Sequence, residues 1–282
     1  MKLTKILLPV DFSEQGDGAA QQAAALARHF HAGLILLHVN PIQVAALMLP
    51  EAFSGPIDTG WITALEAQGR KELDTYRQAD LAGIDVRKIV VTGDPAASIV
   101  DLAHRERPDL IVMPTHGYGP FRRFLLGSVA AKVLHDVDAP VWTGAHLQKS
   151  SQPMWKRIGK VMCAIDLRMA EPALLWARDF ASEFKAELLI VHAVEEKQPE
   201  GSPAISAAQA SEYIQCLQRK LSIAGEILIE EGNPAQVVQA AANRRNADLV
   251  VIGRSPREGV SGRLRTNAYS IVRDAPCPVV SV

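Results

Sequence analysis

The sequence predicts an α/β protein of two tandem domains, each a five-stranded parallel, doubly wound sheet flanked by helices. Three observations carry this expectation. The chain has 282 residues, enough for two domains of ordinary size. Four blocks of sequence occur twice, in the same order. Within each half, short apolar runs rich in Ile, Leu and Val alternate with helical stretches over short connections.

The duplication is direct. "KILLPVD" (5–11) returns as "KVMCAID" (160–166), and "LARHFHAGLILLHV" (26–39) as "FASEFKAELLIVHAV" (180–194). "GDPAASIVDLAHRERPDLIVMP" (93–114) returns as "GNPAQVVQAAANRRNADLVVIG" (232–253), and "DAPVW" (138–142) as "DAPCPVV" (274–280). This is a doubled domain, not a short-period solenoid. Between the halves, "HLQKSSQPMWKR" (146–157) is polar, contains Pro153 and has no period. The domains are set at 1–147 and 157–282, with 148–156 as linker.

Each element of the first half follows from its residues. Residues 5–10 and 34–39 read as buried parallel strands. The alanine-rich "AAQQAAALARHF" between them is helical. Residues 61–82 space Leu65, Leu73, Tyr76 and Leu81 among charges and predict one longer helix. "VRKIVVTG" is a third strand. Asp94 then caps a helix whose first position is Pro95. "DLIVMP" is a fourth strand. "SVAAKVLHDVD" is a helix with Val129, Val133, Leu134 and Val137 on one face. "APVWT" is a fifth strand. The fifth strands of the two halves are expected to be edges that pair with each other inside the chain, giving a pseudo-twofold protomer; a further homodimer is left open.

Composition excludes several classes. Net charge is −1, so no global field draws in nucleic acid or an anionic membrane. Aromatic residues make up 5 %, too few for a base-stacking surface. The three cysteines, Cys163, Cys216 and Cys277, form no Cys-x-x-Cys pair and read as reduced, buried thiols. The first apolar run stops at Asp11 with no cleavage site after it, and no run approaches bilayer length. A cytoplasmic location is the default.

In open α/β sheets, ligands lie beyond the carboxyl ends of the strands. Just there stands "MPTHGYGPFRRFLLGSV" (113–129), with Gly117, then nine residues, then Gly127-Ser128. Glycine lets a phosphate approach the backbone. The first turn of a helix offers free N–H groups and partial positive charge. The stretch therefore suits a polyphosphate cradle. The same residues also suit a plain turn and N-cap, and the spacing by itself does not choose.

With those motifs in view, the whole chain resembles a tandem universal stress protein of the UspA-like family. "ILLPVDFSE", "LLHV", "GDPA" and the closing "DAPV" carry the resemblance alongside the glycine motif. It implies a Rossmann-like fold of the adenine nucleotide alpha hydrolase type. It also implies binding of ATP, which Mg2+ can accompany through phosphate oxygens and water. Nucleotide-binding members carry Gly-x2-Gly-x9-Gly-Ser/Thr, which falls here on Pro114, Gly117, Gly127 and Ser128. Proline at the first position removes an N–H. By the same resemblance, adenine sits in a slot lined by Pro9, Val10, Asp11 and Val39, with Met113 and Val129 completing the nucleotide site. Asp11 has a second reading, as cap of the following helix. In the second half Gly253, Pro256 and Thr266-Asn267 occupy the motif positions, and no ATP phosphates are expected there.

The remaining polar candidates have plainer readings. His116, Arg122 and Arg123 read as solvated loop residues. His38 and His192 repeat at the end of the second strand and suggest a structural role. His29 and His31 point apart on a helix, so no metal site is assigned. No Gly-x4-Gly-Lys-Ser/Thr loop and no nucleophile–base–acid set is present, so at most slow hydrolysis is expected. Two alternatives stay open. One is a degenerate stress protein that binds no nucleotide and holds a protein or lipid-like partner, with the charge-poor stretch 40–60 as a candidate for that or as a lid. The other is a nucleotide-dependent enzyme of the related adenylating or flavoprotein class, although "PVDFSEQGDG" lacks the pyrophosphate loop such an enzyme needs.

Overall fold

The computed structural model describes residues 1–41, 60–115, 126–144, 158–194, 205–254 and 266–282. The first half contributes strands β1 (Lys5–Val10), β2 (Gly33–Pro41), β3 (Val86–Gly93), β4 (Leu110–Met113) and β5 (Val141–Thr143). Its helices are α1 (Glu14–Phe30), α2 (Gly60–Thr75), α3 (Gln78–Leu81), α4 (Pro95–Glu106) and α5 (Ser128–Asp136). The second half gives β6 (Lys160–Ala164), α6 (Ala170–Phe184), β7 (Glu187–Val194), α7 (Ala207–Leu221) and β8 (Glu226–Glu231). It continues with α8 (Pro234–Arg245), β9 (Leu249–Ile252), α9 (Thr266–Asp274) and β10 (Val279–Ser281).

All ten strands join one sheet, ordered β3-β2-β1-β4-β5-β10-β9-β6-β7-β8. Each half is parallel, as its βα alternation requires. The halves meet at one antiparallel seam, where Val279, Val280 and Ser281 face Thr143, Trp142 and Val141. The two fifth strands thus cover each other's edges. Two apolar layers line the sheet, and each runs through both halves. Trp142, fully buried on β5, packs against Phe180 of α6 at 5.6 Å between ring centres.

The capping signals appear as expected. Asp94 accepts from the Ala97 N–H at 2.7 Å with Pro95 opening α4, and Asn233 with Pro234 repeats the arrangement at α8. Three expectations are corrected. The helix expected over 61–82 breaks at Arg77, which adopts a left-handed φ of 44°. Its guanidinium is pulled to Asp17 and Asp80, and the chain restarts as α3. Cys163 and Cys277 are buried, but Cys216 is exposed, because α7 turns Ala210, Ile214 and Leu217 to the core instead. Burial pushes the Cys163 thiol up, and raises Cys277 to about 12.

The third correction concerns register between the halves. Helices α5 and α9 are both nine residues long and end on Asp136 and Asp274. Pro140 and Pro278 then give their carbonyls to Ile111 N and Val250 N. Ser128 therefore corresponds to Thr266, one residue earlier than the sequence match suggested.

Candidate functional site

The site follows from how β1 ends. Even-numbered residues of β1 point their backbone groups at β2, and odd-numbered ones at β4: Thr4 O accepts from Gly33 N, and Lys5 O from Asp109 N, both at 2.9 Å. Pro9 is odd-numbered, so its missing N–H falls on the β4 side. Pairing of β1 with β2 accordingly runs to Val10↔His38, whereas pairing with β4 stops at Leu7↔Ile111. In the second half Ala164 occupies this position and keeps its N–H, and β6–β9 pairing continues to Ala164↔Ile252. Pro9 opens the sheet at the point where strand order reverses, which is where ligands enter such folds.

Beyond β1 lies a capped turn. Phe12 adopts a φ of 58°. Asp11 Oδ1 accepts from Ser13 N at 3.0 Å and from Ser13 Oγ at 2.6 Å, while Ser13 Oγ accepts from Gly16 N. Ser13, not Asp11, is the cap of α1; Asp11 holds the cap in place. A Cβ on Gly16 would meet Asp11 Oδ1 at 2.6 Å, so only glycine admits the carboxylate. Asp11 is exposed, and its Oδ2 takes no hydrogen bond among the described residues.

The expected slot residues divide between the two faces of the sheet. Val39 and Met113 are buried in the layer beneath α4 and α5, with Val129 packed on it. Pro9, half-buried, alternates to that face with Leu7. Val10 turns to the opposite layer, beneath α1. His38 donates from Nδ1 to the Val10 carbonyl at 2.8 Å. That fixes the proton on Nδ1, and Nε2 lies 3.2 Å from the Asn40 Oδ1. Phe12 lies on this histidine at 4.5 Å, and Tyr76 meets Phe12 edge-on at 5.5 Å. Burial first, and then nearby Asp17, push the Tyr76 hydroxyl well above its ordinary value. His192 repeats the contact, donating to the Ile165 carbonyl at 3.0 Å.

The motif that raised the polyphosphate reading is described at both ends. Gly127 N donates to the carbonyl of buried Thr115 at 2.8 Å. Gly127 is the N-cap of α5, Ser128 begins the helix, and among the described residues no side chain caps this first turn. Beyond the Gly127 N–H, which Thr115 takes, the donors of this turn have no side-chain partner among the described residues. By contrast, Ser13, Asp94, Ser206 and Asn233 cap the starts of α1, α4, α7 and α8. His116, Gly117, Arg122 and Arg123, and likewise Pro256 and the stretch 42–59, lie outside the described residues. Among the described residues, no group of three or more His, Cys, Asp or Glu could hold a metal, and no helix is long and apolar enough to cross a membrane.

One structural residue had no sequence signal. Arg254 follows β9 and is 9 % exposed. Its guanidinium crosses the seam and donates to the carbonyls of Leu134 (3.2 Å), Val137 (3.0 Å), Asp138 (3.3 Å) and Ala139 (2.6 Å). It caps the carboxyl end of α5, where a cation complements the helix dipole. The same helix therefore has an anchored end and, at Gly127, an open end. Nothing in the 254–256 stretch announces this, because all four acceptors belong to the other half.

Comparison with known proteins agrees with this architecture. The model of the universal stress protein family matches residues 2–143 and 157–282. A universal stress protein of Methanocaldococcus jannaschii is 31 % identical over 142 residues, covering 49 % of this chain and 79 % of the relative. A universal stress protein of Mycolicibacterium smegmatis is 25 % identical over 300 residues, covering 98 % of this chain and 96 % of the relative. The crystal structure of a universal stress protein from Archaeoglobus fulgidus shares the fold with a TM-score of 0.78 at 22 % identity, covering 100 % of this chain and 98 % of its own. The chain belongs to the universal stress protein family, with two family units in tandem.

Proposed function

We propose that this protein is an adenine-nucleotide-binding stress-response or regulatory protein that holds one ATP in its first half. The observation that carries the reading is the uncapped first turn of α5 beside the opening that Pro9 makes between β1 and β4. Phosphates lie against the N–H groups at Ser128 and Val129, with Gly127 letting them come close to the backbone. The base takes the face of Pro9, Val39 and Met113, and Asp11 Oδ2 accepts from the ribose or the adenine amino group. Val10 serves through its backbone, since its side chain faces the other layer. Gly117 completes the cradle. ATP supplies the negative tail that the helix start is suited to hold, and Mg2+ rides on its phosphate oxygens.

The protein binds and signals rather than turning over substrate: Asp11, the carboxylate at the opening, is tied through Oδ1 to Ser13 and is not aimed as a base. Turnover at about one per second or faster would contradict that. The units span 1–147 and 157–282, joined by 148–156. Because β5 and β10 cover each other, a further homodimer would use another surface. With a net charge of −1, the protein works in the cytoplasm without nucleic-acid or membrane partners. Native mass spectrometry of freshly purified protein tests the reading: one adenine nucleotide per chain is expected, none after incubation in millimolar ATP overturns it, and two overturn the asymmetry between the halves.

A further inference from the structure

We infer that the second half carries its own small-molecule site, shaped for an uncharged, flat heteroaromatic ring with an N–H donor. This inference does not depend on nucleotide binding in the first half. A cavity of about 270 Å³ opens at the carboxyl ends of β6, β7 and β9. Drug-sized ligands occupy roughly 300–1,000 Å³, so the occupant here is one fused ring system with at most a small substituent. Ile165, Val191, Val238, Ile252 and Ile271 form its walls, and four of these five belong to the buried layer beneath α8 and α9. The cavity is therefore an apolar opening into the core.

Its polar groups select the ligand. His192 lines the cavity and commits Nδ1–H to the Ile165 carbonyl, so in the neutral ring Nε2 is an acceptor. In the first half the equivalent nitrogen of His38 faces the Asn40 Oδ1 at 3.2 Å and Phe12 covers the ring. In the second half Val194 stands in place of Asn40 and Leu167 in place of Phe12, and His192 Nε2 has no hydrogen-bond partner among the described residues. With Nδ1–H given to the Ile165 carbonyl, a ligand N–H supplies the partner that the His192 Nε2 acceptor lacks. Charge argues for neutrality. Asp166 and Arg168, both exposed at the rim, offset each other. Arg254 lines the floor, but its guanidinium is engaged by four carbonyls across the seam. With the Arg254 N–H groups committed to those carbonyls, an anion would meet the Asp166 carboxylate at the rim as well as Arg168.

The test uses the full chain with isoleucine methyl and histidine ring labels, saturated with ATP, titrated with three probes by NMR. Indole, neutral with one N–H, is expected to shift the Ile252 and Ile271 methyls and the His192 Nε2 resonance. Benzothiophene, of the same shape without the donor, should bind about fivefold more weakly, the ordinary net effect of one hydrogen bond. Indole-2-carboxylate should bind more weakly than indole. Absence of second-half shifts with indole overturns the site. Equal binding of benzothiophene overturns the donor requirement, and tightest binding of the carboxylate overturns neutrality. His192→Phe should erase the preference for indole over benzothiophene; because the probe series runs on the unaltered protein, the inference can fail without that variant. If ATP itself does not bind, the nucleotide reading fails and the probe titration still decides this one.

Discussion

The two halves use the same strands and helices to build two different carboxyl-end openings. In the first, a proline stops β1 from pairing with the end of β4, a serine held by Asp11 caps α1, and α5 begins on a bare glycine. In the second, the β6–β9 ladder continues through Ala164, and α6 starts after Met169 with no side-chain cap. There, a half-buried histidine lines an apolar cavity. The first opening offers N–H donors to negative charge, whereas the second offers an acceptor in an apolar pocket. A duplicated fold thus preserves its layers while the polar and apolar groups diverge at the few residues just past the strands. Those residues carry little of the packing.

The largest expected effect tests how far the halves depend on each other. Arg254→Ala leaves four carbonyls of the first half without their donor, and should destabilise the chain by about 2–4 kcal/mol in urea unfolding. Thr115→Ala, at the equivalent position of the first half, should cost less than half of that. Equal costs would mean that Arg254 is no special tie.

Next comes Gly127→Asp. An aspartate N-cap suits α5, so the fold should hold. Its carboxylate would occupy the donors that a phosphate needs and repel the phosphate charge. ATP affinity should fall about 100-fold by calorimetry, equivalent to about 2.7 kcal/mol. Asn267→Asp at the start of α9 should leave ATP affinity unchanged; a matching loss there would erase the contrast between the halves.

A feature common to both halves gives the third prediction. Asp109 accepts from Thr4 N and Thr4 Oγ at 2.7 Å and from Lys5 N at 3.0 Å, and Asp248 repeats this with Gly159 N and Lys160 N. Partial burial alone would raise the Asp109 pKa, but these bonds and the Lys5 charge win and lower it. A lowered folded-state value means full stabilisation above the unfolded value of about 3.9, lost as pH falls through the folded value. Asp109→Asn should cost about 1–2 kcal/mol at neutral pH and flatten stability below about pH 4 relative to the parent. A parallel acid profile in the variant would remove Asp109 as the source.

The smallest effect probes the opening itself. Pro9→Ala restores an N–H facing β4, so the amide at position 9 should gain hydrogen-exchange protection and ATP should bind severalfold more weakly. Ala164→Pro should loosen the same spot in the second half. An unprotected amide in the first variant would show that something other than proline separates β1 from β4.

Much of this was legible in the sequence. The strands, the Asp94-Pro95 and Asn233-Pro234 helix starts, the repeat and the glycine start of α5 are written locally. Each depends on a period of two or 3.6 residues, or on a side chain reaching its own backbone three residues on. The paired histidines also announced themselves by repetition. Where similarity misled, as in matching Ser128 to Asn267, the register came from Pro140 and Pro278, whose carbonyls are fixed by strands β4 and β9.

What only the tertiary structure decided depends on partners far apart in the chain. The antiparallel seam of β5 and β10, the reach of Arg254 to α5 and the break at Arg77 each join groups that no local pattern connects. The sequence by itself determined which segments are strands and helices and which faces are apolar, because neighbouring residues settle backbone preference and amphipathic period. Which strand ends part and which helix starts stay uncapped was decided only when β1, β4 and α5 met in space, where one missing N–H ends a ladder and one missing side chain leaves a helix start uncapped.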